Sequence, residues 1–122
     1  MKYMLLCYDD DDLWRQKGED ALKAAMNEAV QLTHKLNDRG QYIDASPLQP
    51  VATAKCVRVR DGVRTVTDGP FAETSEVLGG YYLIEVENLD EAIVVAAQHP
   101  GARIATVEIR PLRQLDGLPG PV

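Results

Sequence analysis

The dipeptide Asp61-Gly62, placed between two valine-containing runs, constrains the fold of this chain more than any other feature. A two-residue Asp-Gly loop between β-prone runs is typical of an antiparallel hairpin, and it fixes which residues face each other. The register that follows pairs Arg60 with Val63, Val57 with Val66, and Lys55 with Asp68. Because side chains alternate along a strand, Asp68 then shares the apolar face of the hairpin with Val57 and Val66.

The second half of the hairpin leads into a compact polar segment, Asp68-Gly69-Pro70-Phe71-Ala72-Glu73-Thr74-Ser75-Glu76. Asp accepts backbone N–H groups, Gly can adopt a positive φ and Pro fixes φ, so Asp68, Gly69 and Pro70 predict a sharp end to the strand. The simplest interpretation is a tight turn that Asp68 caps. A turn alone does not require the aromatic ring and two further carboxylates that follow it, and such side chains can line a small pocket.

Asp68 is therefore our candidate acid or base, facing a cavity that the following segment bounds. The candidate binding residues are Phe71, Glu73, Glu76, Tyr82 and Lys55. Burial and neighbouring carboxylates would raise the pKa of Asp68, whereas Lys55 or accepted backbone N–H groups would lower it, so the sequence leaves the direction open.

Composition and charge narrow the classes of partner and cofactor. The chain has 122 residues, 45% of them apolar, and a formal net charge of −6, which fits one globular domain and argues against a nucleic-acid partner. The apolar run at the N-terminus is too short for a signal peptide or a membrane span, so we expect a cytoplasmic protein without membrane contact. Cys7 and Cys56 lack metal or redox spacing, and metal, nucleotide and flavin motifs are absent, so we expect no cofactor.

The remaining periodicities predict an α+β fold. A strand at residues 3–8, a helix at 19–39, the hairpin, a strand at 78–87, a helix opened by Asn88 and Glu91, and a strand at 104–110 follow in order. This order predicts a ferredoxin-like βαββ(β)αβ antiparallel sheet with both helices on one face. We interpret residues 1–112 as the single domain and 113–122 as a flexible tail, and the run Asp9-Asp10-Asp11-Asp12 as a solvated loop.

The first strand is apolar on both faces. Met4 and Leu6 point to one side, and Tyr3, Leu5 and Cys7 to the other. A sheet with helices on one side only should not be apolar on both, so we expect a homodimer joined through the uncovered sheet face.

The polar segment and the strand Leu78-Gly79-Gly80-Tyr81-Tyr82 resemble the signature of the DGPF branch of YCII-related proteins. The resemblance runs from Lys2-Tyr3-Met4 to Glu108-Ile109-Arg110-Pro111, and the chain departs from the usual signature at Ser75, where Lys is common. It implies a dimeric α/β barrel.

Two functions stay open from the sequence. Resemblance to YCII-related proteins and to dimeric α/β-barrel lactone dehalogenases and isomerases implies an enzyme acting on an unknown small molecule. Because Ser and Cys nucleophiles lack a recognisable base partner here, proton transfer of the lyase or isomerase type is favoured, with Asp68 as the acid or base. The alternative is a non-catalytic accessory or ligand-sensing protein, because DGPF-type genes often neighbour extracytoplasmic-function sigma factors.

Overall fold

The computed structural model describes residues 1–120. The elements in chain order are β1 (Lys2–Asp9), α1 (Asp11–Lys17), α2 (Glu19–Asp38), β2 (Tyr42–Pro47), β3 (Lys55–Arg60), β4 (Val63–Asp68), β5 (Val77–Glu85), α3 (Leu89–Gln98) and β6 (Val107–Pro111). Short 3-10 turns lie at Val51–Thr53 and Pro100–Arg103.

Four strands form the main sheet, in the order β2-β5-β1-β6, and every neighbouring pair is antiparallel. Helices α2 and α3 cover one face of this sheet and build the core with it, so the α+β, ferredoxin-like prediction is confirmed. The buried residues are Tyr3, Leu5, Cys7, Leu32, Leu36, Tyr82, Ile84, Val86, Ala92, Val95 and Ala96.

The two faces of β1 differ as the alternation predicted. Tyr3, Leu5 and Cys7 are buried under the helices, whereas Met4 and Leu6 are half-buried on the opposite face, which we call the open face. No described helix is long and apolar enough to cross a membrane.

The acidic run after β1 is not the solvated loop that we predicted. Strand β1 continues through Asp9, and Asp10 caps α1 by accepting hydrogen bonds from the N–H groups of Asp12 and Leu13 at 3.1 and 3.2 Å. Acidic residues in a first helical turn also interact favourably with the helix dipole. The cap at Asp10 therefore favours a helix here, which the number of successive charges alone does not predict.

The hairpin prediction is confirmed residue by residue. Strands β3 and β4 pair with the predicted register, from Lys55 opposite Asp68 to Arg60 opposite Val63. The loop residues Asp61 and Gly62 both have positive φ, 50° and 76°, as a type I′ turn requires. The two strands form a separate sheet that has at most marginal contacts with the other helices and strands.

Strand β2 was not predicted from the sequence. It pairs with β5 at the edge of the main sheet, with a register shift between Tyr42 and Asp44. That irregularity interrupts the alternation of apolar and polar residues from which strands are predicted. At the other end of the chain, residues 112–120 form no helix or strand, and residues 121–122 of the predicted tail lie outside the described residues.

Candidate functional site

The structure brings Lys55 and Asp68 together across the hairpin, but it leaves both in solvent. The two side chains form an ion pair, and the side chain of Asp68 is 83% exposed. An exposed ion pair of this kind contributes little to stability. In the single chain Asp68 therefore lies on the predicted face, and that face is uncovered.

The residues that follow Asp68 have different surroundings. Phe71 is exposed, and its ring centroid lies 5.4 Å from the guanidinium carbon of Arg58, within the range of a cation–π contact. Glu73 is exposed, whereas the Oε1 atom of Glu76 is buried without a hydrogen-bond partner among the described residues. Buried carboxylate oxygens normally have a partner, so this atom of Glu76 is an exception within the described residues.

Tyr82 lies apart from the hairpin, in the core under α2. Its hydroxyl donates a hydrogen bond to the carbonyl oxygen of Ala29 at 3.0 Å, and burial raises the pKa of Tyr82 to about 12. Its binding role remains a prediction, and the packing of the single chain gives Tyr82 a structural role in the core.

Asp9 is the titratable group that sequence reasoning missed. It is the last residue of β1, half-buried, and its Oδ1 atom accepts a hydrogen bond from Nε1 of Trp14 at 3.3 Å. Burial raises the pKa of Asp9 above its ordinary value, and the Asp11 carboxylate adds to the rise, while the hydrogen bond from Trp14 opposes it. Asp9 is therefore a half-buried carboxyl whose surroundings raise its pKa, which makes it a candidate proton-transfer group.

The glycine pair of the signature explains where the Asp9 carboxyl fits. A Cβ atom on Gly79 would lie 2.0 Å from Oδ2 of Asp9, so any side chain at position 79 would force this carboxyl out of its place beside β5. Glycine at position 80 avoids a different contact. A Cβ there would lie 3.0 Å from the carbonyl oxygen of Ser46, in the backbone of β2. We call the place of the Asp9 carboxyl between Trp14 and Gly79 the carboxyl niche.

Trp14 also lines a surface groove. The groove is lined by Trp14, Lys17, Ala21, Ala24, Ala25, Glu28, Pro100, Arg103 and Ile104. Arg103 makes two hydrogen bonds to Glu28, at 2.7 and 2.9 Å, which fixes one wall. A molecule in this groove would contact the same indole that holds the Asp9 carboxyl.

His99 ends α3 and begins the short 3-10 turn that follows it. Its Nδ1 atom accepts a hydrogen bond from the N–H of Gly101 at 3.0 Å, and its ring packs edge-on against Tyr82 at 5.3 Å. Burial lowers the pKa of His99, so the neutral imidazole is favoured. His99 thus stabilises the turn after α3 through an uncharged ring.

The comparison with known proteins gives the family. The YCII-related domain matches residues 1–116. This chain belongs to the YCII-related family. An uncharacterised protein from Rhizobium meliloti (strain 1021) is 34% identical over 114 residues, which cover 92% of each chain. The DGPF branch within the family remains a prediction from the signature.

A solved structure gives a more distant similarity. The 5-chloro-2-hydroxyhydroquinone dehydrochlorinase TftG from Burkholderia phenoliruptrix AC1100, in complex with 2,5-dihydroxybenzoquinone, aligns with a TM-score of 0.47 and 12% identity. The alignment covers 93% of this chain and 94% of that one. At this level of similarity the match adds no argument about activity.

Proposed function

We propose that this YCII-related protein is a small-molecule enzyme of the lyase or isomerase type, with Asp9 as its acid or base. The observation that carries the proposal is the carboxyl niche, in which Asp9 is half-buried and has a raised pKa. A carboxyl group whose pKa moves toward the working pH is suited to both accepting and donating a proton.

The atoms around Asp9 fit this role. The indole of Trp14 orients Oδ1, and Oδ2 lies beside the backbone of Gly79, in the space that a side chain there would take. Strand β1 and its pairing with β5 hold the carboxyl on a rigid element, which favours a fixed distance to a substrate atom. Asp68 stays the second candidate for the acid or base, facing the predicted pocket that the polar segment after it would bound.

Exchange of substrate protons for deuterium tests the proposal without knowledge of the full reaction. We would incubate the protein in D₂O with a panel of enolisable lactones, 1,3-dicarbonyls and hydroxyquinones, and follow deuterium incorporation by NMR. For any compound that exchanges, Asp9→Asn should lower the rate by about 100-fold or more, because general acid–base groups contribute about 10²–10⁴-fold. Asp38→Asn, at the exposed end of α2, is the matched control and should leave the rate unchanged.

The same experiment distinguishes the two carboxyl groups. If Asp68→Asn abolishes exchange and Asp9→Asn does not, the catalytic role belongs to Asp68. If neither substitution changes the rate, the proposal of carboxyl-mediated proton transfer is wrong.

The exposure of Asp68 favours one alternative, a non-catalytic accessory or ligand-sensing protein. Its ion pair with Lys55 in solvent is suited to contact with another molecule rather than to proton transfer. Binding of a panel compound without any deuterium exchange would support this alternative. The link to extracytoplasmic-function sigma factors and the cytoplasmic location remain predictions.

We also propose that the protein is a homodimer in which the open face is covered. Met4, Leu6 and Leu83 form the half-buried apolar centre of that face. Residues of this kind are normally shielded from water, and burial of apolar surface contributes about 25 cal/mol per Å² before the costs of association.

A further inference from the structure

The groove that Trp14 lines lies among the helices and has the size of a ligand site. Its lining residues come from α1, α2 and the segment after α3, and none of them lies on a strand. The groove is therefore separate from the open face of the sheet. Its volume of about 470 Å³ falls within the range of small-molecule sites in proteins.

Short and apolar side chains make the space in this groove. Ala21, Ala24 and Ala25 lie three and four residues apart, so they share one face of α2. Their methyl groups leave room that longer side chains would fill. Pro100 and Ile104 add apolar surface, and their side chains have no hydrogen-bonding group. This part of the groove therefore favours a ligand with an apolar body.

The indole of Trp14 adds an aromatic surface in a fixed orientation. Its Nε1–H donates to Oδ1 of Asp9 at 3.3 Å, and this N–H is the one donor that an indole has. What Trp14 offers to a molecule in the groove is therefore the apolar surface of its ring. Because aromatic rings gain extra stabilisation from stacked or edge-to-face contacts with one another, an aromatic ligand fits better here than an aliphatic one.

The charged side chains of the lining favour an anion. Arg103 donates two hydrogen bonds to Glu28, so these opposite charges offset each other. Lys17 is exposed and forms no ion pair with any described residue. The acidic residues in the first turn of α2, Glu19 and Asp20, do not line the groove. The lining thus contains two cations and one anion, in a chain whose net charge is −6.

We propose that this groove is a binding site for a small aromatic carboxylate, with its ring against Trp14 and the alanines of α2 and its carboxylate toward Lys17. The ammonium group of a lysine lies on a flexible stem and can follow the position of a carboxylate. Arg103 also has N–H donors beyond the two that Glu28 accepts. The site goes beyond the proposed proton transfer, because binding there requires neither an acid nor a base.

The indole signal of Trp14 reports binding directly. Trp14 is the only tryptophan of the chain, so its indole N–H gives a single signal in the NMR spectrum of ¹⁵N-labelled protein. We would titrate the protein with benzoate, with benzamide, which has the same shape without the charge, and with cyclohexanecarboxylate, which has the charge without the aromatic ring. Benzoate should shift the signal saturably in the millimolar range, as expected for a ligand of about ten heavy atoms.

The two analogues separate the contribution of charge from that of the ring. Benzamide should bind about fivefold more weakly than benzoate, which is near the upper range for an exposed charge pair. Cyclohexanecarboxylate should bind about threefold more weakly, because it loses the contact between aromatic rings.

Two pairs of variants locate the site. Lys17→Gln should make benzoate and benzamide bind equally, whereas Lys23→Gln, at an exposed position of α2 outside the groove, should preserve the difference. Ala24→Phe should abolish the saturable shift, because its ring would take the space of the ligand. Asn27→Phe, on the same helix and outside the groove, should leave binding unchanged.

Three results would overturn the inference. They are the absence of a saturable shift with benzoate, binding of benzamide or cyclohexanecarboxylate as tight as that of benzoate, and control variants that alter binding as much as Lys17→Gln and Ala24→Phe do. None of these results bears on the deuterium-exchange test of Asp9, so the failure of this inference and the failure of the proposed function are distinguishable.

Discussion

The Asp9 carboxyl occupies the space that a side chain at position 79 would need. Gly79→Ala would place a Cβ atom 2.0 Å from Oδ2 of Asp9, so the carboxyl would have to move away from Trp14, and we expect a loss of about 1 kcal/mol in the free energy of unfolding, the usual contribution of one hydrogen bond. Removing the carboxyl by Asp9→Ala in the same chain should recover most of that loss, because the clash is then gone.

Gly80→Ala is the matched control for this cycle. Its Cβ would meet backbone atoms of Ser46 and Pro47, at 3.0 and 3.3 Å, which Asp9→Ala does not move. Urea melts of the single and double variants measure the coupling. Purely additive losses for Gly79→Ala and Asp9→Ala would show that the carboxyl does not occupy the niche.

Asp9 also makes stability depend on pH in a defined direction. Because its pKa is raised on folding, its contribution is fully present below the unfolded pKa, about 3.9, and is lost as pH rises through the folded pKa. Asp9→Asn keeps an acceptor for Trp14 and removes the titration. As pH rises from about 4, the free energy of unfolding of Asp9→Asn should therefore increase relative to that of the wild type. If urea melts show that the difference between the variant and the wild type stays constant or decreases with pH, Asp9 is not buried.

For single residues, the sequence alone explained neither the glycine pair of the signature nor the surroundings of Asp9. Four successive acids have the same appearance in a sequence, yet Asp10 caps a helix and Asp9 is half-buried. The difference depends on Gly79, which lies on a strand far along the chain and meets Asp9 only when β1 and β5 pair. Burial of a polar residue by a distant partner leaves no local signal.

Among the elements, the turn after β4 gives a direct comparison of two substitutions. Gly69 has φ of 91°, and no atom lies within 4 Å of where its Cβ would be, so strain there comes from the backbone alone. Gly69→Val should cost about 1–3 kcal/mol, whereas Pro70→Ala should cost under about 1 kcal/mol because it chiefly relaxes the unfolded chain. Equal losses in denaturant melts of the two variants would refute this account of the turn.

The hairpin and β2 show which elements a sequence can predict. The register of β3 and β4 was predictable because a two-residue loop with positive φ at Asp61 and Gly62 allows one pairing. Strand β2 is set by its pairing with β5 and by the absence of a side chain at Gly80, neither of which its own residues encode. The turn and register of the hairpin could therefore be predicted from its own residues, whereas the pairing of the edge strand β2 could not.

For the whole molecule, the uncovered sheet face predicts association. Sedimentation at micromolar concentration should give a dimer, and Leu83→Asp should shift it toward monomer, because a carboxylate would be buried in the apolar centre of the open face. Val94→Asp, at a 58% exposed position on α3, is the control and should leave the dimer intact. A wild-type protein that sediments only as a monomer would contradict the homodimer.

The fold of the molecule followed from alternation and element order, whereas the candidate site shifted from Asp68 to Asp9. Asp68 is where the register placed it, but the hairpin face that it shares with Val57 and Val66 is uncovered in the single chain. Whatever covers this hairpin face cannot be predicted from a single sequence. The niche of Asp9, in contrast, is complete within one chain.

The pKa of Asp9 tests the central claim most directly. Carbon-detected NMR titration of the side-chain carboxyl groups, with Asp9 assigned by the signal that Asp9→Asn removes, gives its midpoint in the folded protein. We predict a midpoint above about 3.9, the ordinary value for aspartate, because burial beside Gly79 raises it. A midpoint at or below that value would mean that Asp9 is a solvated carboxylate, and the acid–base role assigned to it would be wrong.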